Sequence, residues 1–145
     1  MPRPGFAIIA RVMVAVLLSS LVIAETPAER VVRSLKKAGY FSVWGVGVAA
    51  AVSPNEQVFR IFMNQNPTAA DAIRLIAEGT PAARIYGFLA LQKISPQQFA
   101  ELAPRHLHQR TDVLIRSGCV DTVQTSGSLV RLISEGKIAI RPVSE

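Results

Sequence analysis

Five times in this chain a short capping side chain stands directly before a proline: Thr26-Pro27, Ser53-Pro54, Asn66-Pro67, Thr80-Pro81 and Ser95-Pro96. A hydroxyl or amide oxygen at such a position accepts a hydrogen bond from the free amides of a first helical turn. Proline suits the first helical position because its missing N–H would have been unpaired there anyway. Three of the pairs continue as capping boxes, Thr26 with Glu29, Ser53 with Glu56 and Ser95 with Gln98. The last four starts are 13, 14 and 15 residues apart. Each interval holds one short helix and a brief connection, the arrangement of neighbouring antiparallel helices.

The apolar spacing predicts which face of each helix turns inward. Val31, Val32 and Leu35 serve the first, Val58, Ile61 and Phe62 the second, and Ala69, Ile73 and Ile76 the third. The third ends at Gly79, a residue suited to a left-handed cap. Phe99, Leu102 and Ala103 serve the fifth. The fourth has no polar face between Ile85 and Leu91, which places it at the centre of the domain.

Two segments break the helical rhythm. FSVWGVGVAAAV, residues 41–52, is rich in β-formers and sets Trp44, Val46 and Val48 on one alternating face. DVLIRSGCV, residues 112–120, alternates Val113, Ile115, Ser117 and Cys119 against Leu114, Arg116 and Gly118. SLVRLISE, between Ser126 and Gly136, predicts a last short helix, with KIAIR after it as a candidate third strand. The fold class expected is therefore mainly α: short stacked antiparallel helices, HEAT-like in their stacking, with a two- or three-stranded β element.

Residues 12–24, VMVAVLLSSLVIA, form an uncharged run of 13, a length that fits the apolar region of a signal peptide and falls short of a span of about 20. Val22 and Ala24 put small side chains where a signal peptidase reads, so residues 1–24 are expected to be a leader and 25–145 one helical domain. The rival is an uncleaved anchor reaching back to Phe6. Arg30, Arg33, Lys36 and Lys37, just downstream on the side that should be translocated, run against both readings, because positive residues beside a span prefer the cytoplasmic side. The chain has 145 residues, room for one domain. Of its 16 Lys and Arg, Arg3 and Arg11 fall in the leader, leaving fourteen against 10 Asp and Glu. That surplus gives no argument for nucleic acid. Cys119 is the only cysteine, so no internal disulfide can form and stability must come from packing.

TPAARIYGFLAL, residues 80–91, and the paired helices around it resemble the helical hairpins of HEAT-type repeats. The order of FSVWGVGVA, that helix and a later SGCV also resembles a group of uncharacterised exported bacterial proteins, over roughly residues 41–120. Trp44 departs from the pattern, where a small residue is usual. The resemblance implies export and helical stacking, and no activity.

No constellation rises to a catalytic motif. Gly45, Gly47 and Ala50 fit G-x-G-x-x-A, but the next helix start is Ser53-Pro54, after the motif has ended, so no helix N-terminus meets a pyrophosphate. Glycines that admit a close neighbour explain them better, and no cofactor is expected. Cys119 with His106 or His108, oriented by Asp112 or Asp121, could make a thiol nucleophile and base. The plainer reading is a small apolar side chain on a buried strand face, or an unpaired thiol available to another chain. His106-x-His108 lacks the third ligand that catalytic zinc needs. Glu78, Glu101, Asp112 and Asp121 are scattered singly, unlike a glycosidase pair, and no nucleophile elbow occurs. Arg30, Arg33 and Lys37, with Lys36 alongside, form a basic helix face that could lie on an anionic membrane, although a solvated surface explains the same pattern.

The expectation is a non-catalytic exported module that binds a macromolecule, most simply a protein. Tyr40, Trp44 and Tyr86 would contribute to its surface if exposed. The alternatives are a thiol hydrolase built on Cys119 and a membrane-surface protein built on the first helix.

Overall fold

A computed structural model describes residues 25–44 and 51–140. The expected leader and the Gly45, Gly47 and Ala50 motif lie outside the described residues. Among the described residues six helices, a 3-10 turn and one hairpin follow in order. They are α1 (Pro27–Lys36), α2 (Pro54–Asn64), α3 (Ala69–Glu78), α4 (Pro81–Ile94), α5 (Pro96–Leu102), the 3-10 turn Ala103–His106, β1 (Asp112–Ser117), β2 (Val120–Thr125) and α6 (Ser126–Ser134). The protein is mainly helical with a small antiparallel sheet, as the spacing of starts predicts.

The caps explain most of the helix boundaries. At α1 the Thr26 hydroxyl accepts from Glu29 N at 3.1 Å, and the Glu29 carboxylate accepts from Thr26 N at 2.8 Å. Ser53 Oγ accepts from Glu56 N at 3.1 Å and Thr80 Oγ1 from Ala83 N at 3.2 Å. Two starts differ from expectation. Thr68, not Asn66, caps α3, and Asp71 completes its capping box. Asn66 instead turns the chain in the left-handed region, φ 51°, which its short amide tolerates. Ser95 makes no side-chain cap bond, because α5 begins one residue after α4 ends and the Ser95 backbone already bonds back to Leu91 O.

The buried faces of α2 and α3 are rotated from those expected. Phe59 and Phe62 are buried on α2, whereas Ile61 is 49% exposed. The larger aromatic surface wins the interior, and Phe59 meets the Tyr86 ring in a tilted contact, 4.8 Å between centroids. On α3, Ala72, Leu75 and Ile76 are buried and Ile73 faces out. That rotation turns Ala72 toward α4, where Gly87 comes so close that a Cβ would lie 2.9 Å from Ala72 O and 2.7 Å from Ile76 Cγ1. At the other end of the pair a Cβ on Gly79 would lie 2.6 Å from Ala83 Cβ. Positions falling along α3 meet positions rising along α4, so the two helices are antiparallel. Gly79 has φ −82° and is no left-handed cap; it serves close approach.

Helix α4 is the centre, as its unbroken apolar run predicts: every residue from Ile85 to Leu91 is buried. Tyr86 lies among Phe41 and Phe59, 4.8 Å from each ring. Phe88 meets Phe99 of α5 and His106 of the 3-10 turn edge-on. The Gln92 amide donates to Ile133 O at 2.7 Å, tying α4 to α6.

The β element is a hairpin, not one long strand. Asp112 pairs with Thr125 and Ser117 with Val120, leaving Gly118 and Cys119 as the two-residue loop. Gly118 has φ 56°, the requirement at the first loop position of a type II′ turn. Val113 and Ile115 point into the core as expected. Phe41 joins the outer edge of β1 by one parallel bridge: Phe41 N donates to Leu114 O at 2.8 Å and Arg116 N to Phe41 O at 3.0 Å. The segment 41–44 therefore contributes a bridge and no strand. Residues 137–140 form no strand either, so among the described residues the sheet has two strands.

Candidate functional site

The basic residues of α1 do not form an uninterrupted positive face. Arg33 pairs with Glu25, and Lys36 with Glu78 of α3. Arg74 joins Glu78 at 3.5 Å. Arg30 and Lys37 are exposed and make no ion pair among the described residues. Glu25, Glu29, Arg33, Lys36 and Arg74 line an open cleft of about 400 Å³, whose surface is mixed in charge. The Lys36 ammonium holds the Glu78 carboxyl below the usual range, and two bonds from Thr26 do the same for Glu29.

Cys119 is exposed at the hairpin tip, not buried on a strand face. His106 and His108 precede the hairpin's opposite end, where Ser126 N donates to Thr111 O at 2.8 Å. Six residues of β1 lie between, a rise of about 20 Å. The structure does not bring thiol and imidazole together. Asp121 is also committed: it takes two bonds from Arg116, both 2.8 Å, which hold its carboxyl below the usual range. The Arg116 guanidinium lies 4.4 Å over the Tyr40 ring. His106 rests on Phe88, 4.9 Å between centroids, and no group of three metal-ligating side chains occurs among the described residues.

A different surface gathers the features of a binding site. Between the hairpin and α6 runs a groove of about 500 Å³, within the range of ligand and peptide sites. Trp44, Ile115, Leu129, Leu132 and Ile138 give it an apolar floor, while Ser117, Thr122 and Gln124 form a polar wall beside Lys137. Trp44 is half-buried, with its ring edge-on to Phe41 at 5.9 Å. Strand β2 overhangs this groove and is exposed along residues 120–124 on both of its faces, with Val120 at 59% and Val123 at 60%.

The outer edge of β2 follows from the pairing pattern. In an antiparallel pair, residues alternate between those bonded to the partner strand and those turned away. The Leu114 C=O and the Arg116 N–H of β1 point away from β2 and bond to Phe41. Their cross-strand partners, Val123 and Asp121, therefore turn their own N–H and C=O away from β1. Among the described residues nothing accepts or donates at these groups.

Of the three aromatics named from sequence, Tyr86 is buried and serves the core, whereas Tyr40 and Trp44 are half-buried at the hairpin. The groove joins residues from Trp44 to Ile138, a non-local grouping with no sequence signal except Ser117-Gly118, a turn dipeptide. Comparison with protein-family models, curated proteins and solved structures finds no match.

Proposed function

We propose that the chain is an exported, non-catalytic binding module of the bacterial envelope, and that its recognition surface is the hairpin with the groove beside α6. The observation that carries this reading is the groove itself, apolar at its floor and polar at its wall, next to a strand left exposed on both faces. Stable recognition sites combine buried apolar anchors with a few polar groups that fix orientation. Export rests on the apolar run at residues 12–24 and on the resemblance to exported bacterial proteins. The two rival readings have less support. A thiol hydrolase needs a base within hydrogen-bond reach of Cys119, and the histidines lie at the other end of the hairpin. Membrane attachment needs a cluster of free cations on α1, and Arg33 and Lys36 are paired with carboxylates, which leaves only Arg30 and Lys37 without an ion pair among the described residues.

The test uses the full-length chain in a bacterial host, with a photo-crosslinking residue at Gln124 on the groove wall. A discrete adduct with an envelope protein, formed outside the cytoplasm and lost when Thr122→Arg fills the groove, is the expected result. Retention in the cytoplasm, or adducts indifferent to Thr122→Arg, would refute the reading.

A further inference from the structure

We propose that β2 takes up an extended segment of another polypeptide as the next strand of the sheet. The inference rests on the binding reading above and names the occupant. Its starting point is the row of groups that Asp121 and Val123 turn away from β1, each with one N–H and one C=O, about 7 Å apart. The chemical complement of that row is the backbone of a second extended chain. A side-chain ligand or a lipid headgroup would not satisfy donors and acceptors alternating at strand spacing.

Three further observations point the same way. Natural sheets guard an open edge with proline, lysine, a bulge or a covering element. VDTVQT has none of the first three, and among the described residues nothing covers it. Its one charge, Asp121, is neutralised by Arg116. The composition is dominated by valine and threonine, which favour pairing. An added strand would also find room on both sides. One row of its side chains would meet the exposed cross-strand pair Leu114 and Val123. The other row would meet the groove, whose one charged lining residue, Lys137, is already paired with Glu135 at 2.7 Å, so uncharged apolar and polar side chains suit it.

A second copy of this chain fits less well. Joining β2 to its counterpart would pair two six-residue edges and little else, short of the roughly 1,200 Å² that a stable interface buries.

The probe is a capped heptapeptide of alternating valine and threonine, added at millimolar concentration to the full-length chain. Backbone amide exchange and Trp44 fluorescence are read together. Slowing of the Asp121 and Val123 amides by about tenfold or more is expected, with little change at Thr122 and Gln124, which already bond to β1. Val123→Pro removes an outward N–H without cutting the β1 ladder, and should weaken the probe at least about tenfold, while Val123→Leu retains it. The exchange measurement on the unsubstituted chain stands even if the proline variant fails to fold. Unchanged exchange at Asp121 and Val123 overturns the proposal. If Trp44 responds while those amides do not, the groove binds side chains and only the strand addition fails. Protection at both amides without peptide, together with a doubled mass in sedimentation, would assign the edge to a second copy and overturn the proposal as well.

Discussion

The Tyr86 hydroxyl bonds to both backbone groups of Ser42, donating to its carbonyl at 2.8 Å and accepting from its amide at 2.9 Å. The ring fills the centre of the core while the hydroxyl satisfies a buried loop, so Tyr86→Phe keeps the volume and strands two polar groups. That variant should lose about 1–3 kcal/mol in urea unfolding. Burial pushes the phenol well above its ordinary value of 10.0. A raised folded value means that the neutral phenol favours the folded state, with its contribution complete below about pH 10 and lost as pH rises further. In a Tyr40→Phe background, phenolate absorbance should therefore appear only together with alkaline unfolding, and not before it. Gly87 is the second such position. Alanine there would gain about 1 kcal/mol of helix propensity, but its Cβ would meet Ile76 Cγ1 at 2.7 Å and Ala72 O at 2.9 Å. We expect Gly87→Ala to destabilise by about 1–3 kcal/mol net, measured by the same unfolding experiment.

At the scale of elements, the caps divide into those that bond and one that does not. Thr68→Ala should cost about 1 kcal/mol, because Thr68 and Asp71 satisfy each other's backbone amides at 2.8 and 3.2 Å. Ser95→Ala should leave unfolding nearly unchanged, since Ser95 makes no cap bond. Equal losses in the two variants would contradict this account of the boundaries. The comparison also shows what was legible in the sequence. Capping residues before proline mark helix starts through local chemistry, and four of the five cap positions stand where they predict. Asn66 misleads because the same residue types that cap a helix also turn a chain. The inward faces of α2 and α3 were less legible, since Phe59 and Ala72 are selected by Tyr86 and Gly87 on another helix. Strand β2 was missed for a simpler reason. Hydrophobic alternation reports one buried face, and residues 120–124 bury neither.

On the whole molecule, the surface carboxylates set the acid limit. Glu29, Glu78, Asp121 and Glu135 are held below their ordinary values by Thr26, Lys36, Arg116 and Lys137 respectively. A depressed folded value contributes stability that is present above the unfolded value and is lost as pH falls through the folded one. Thermal unfolding should therefore hold steady from neutral pH to about pH 5, then decline below about pH 4.5, and added salt should blunt the decline. The pairing of Lys36 with Glu78, 42 positions apart, also explains why the basic stripe of α1 looked more promising in sequence than in structure. The groove at the hairpin was illegible for the same reason: its floor and wall come from five separate stretches of chain.

The most direct measurement is amide hydrogen exchange on the full-length chain without added peptide, resolved residue by residue. A closed core around α4 with one open strand edge predicts strong protection from Ile85 to Leu91 and at Thr122 and Gln124. Asp121 and Val123, between and beside those protected amides, should exchange nearly as fast as an unstructured chain. Protection of Asp121 and Val123 equal to that of Thr122 and Gln124 would mean that the edge is already covered, and would contradict an exposed recognition strand.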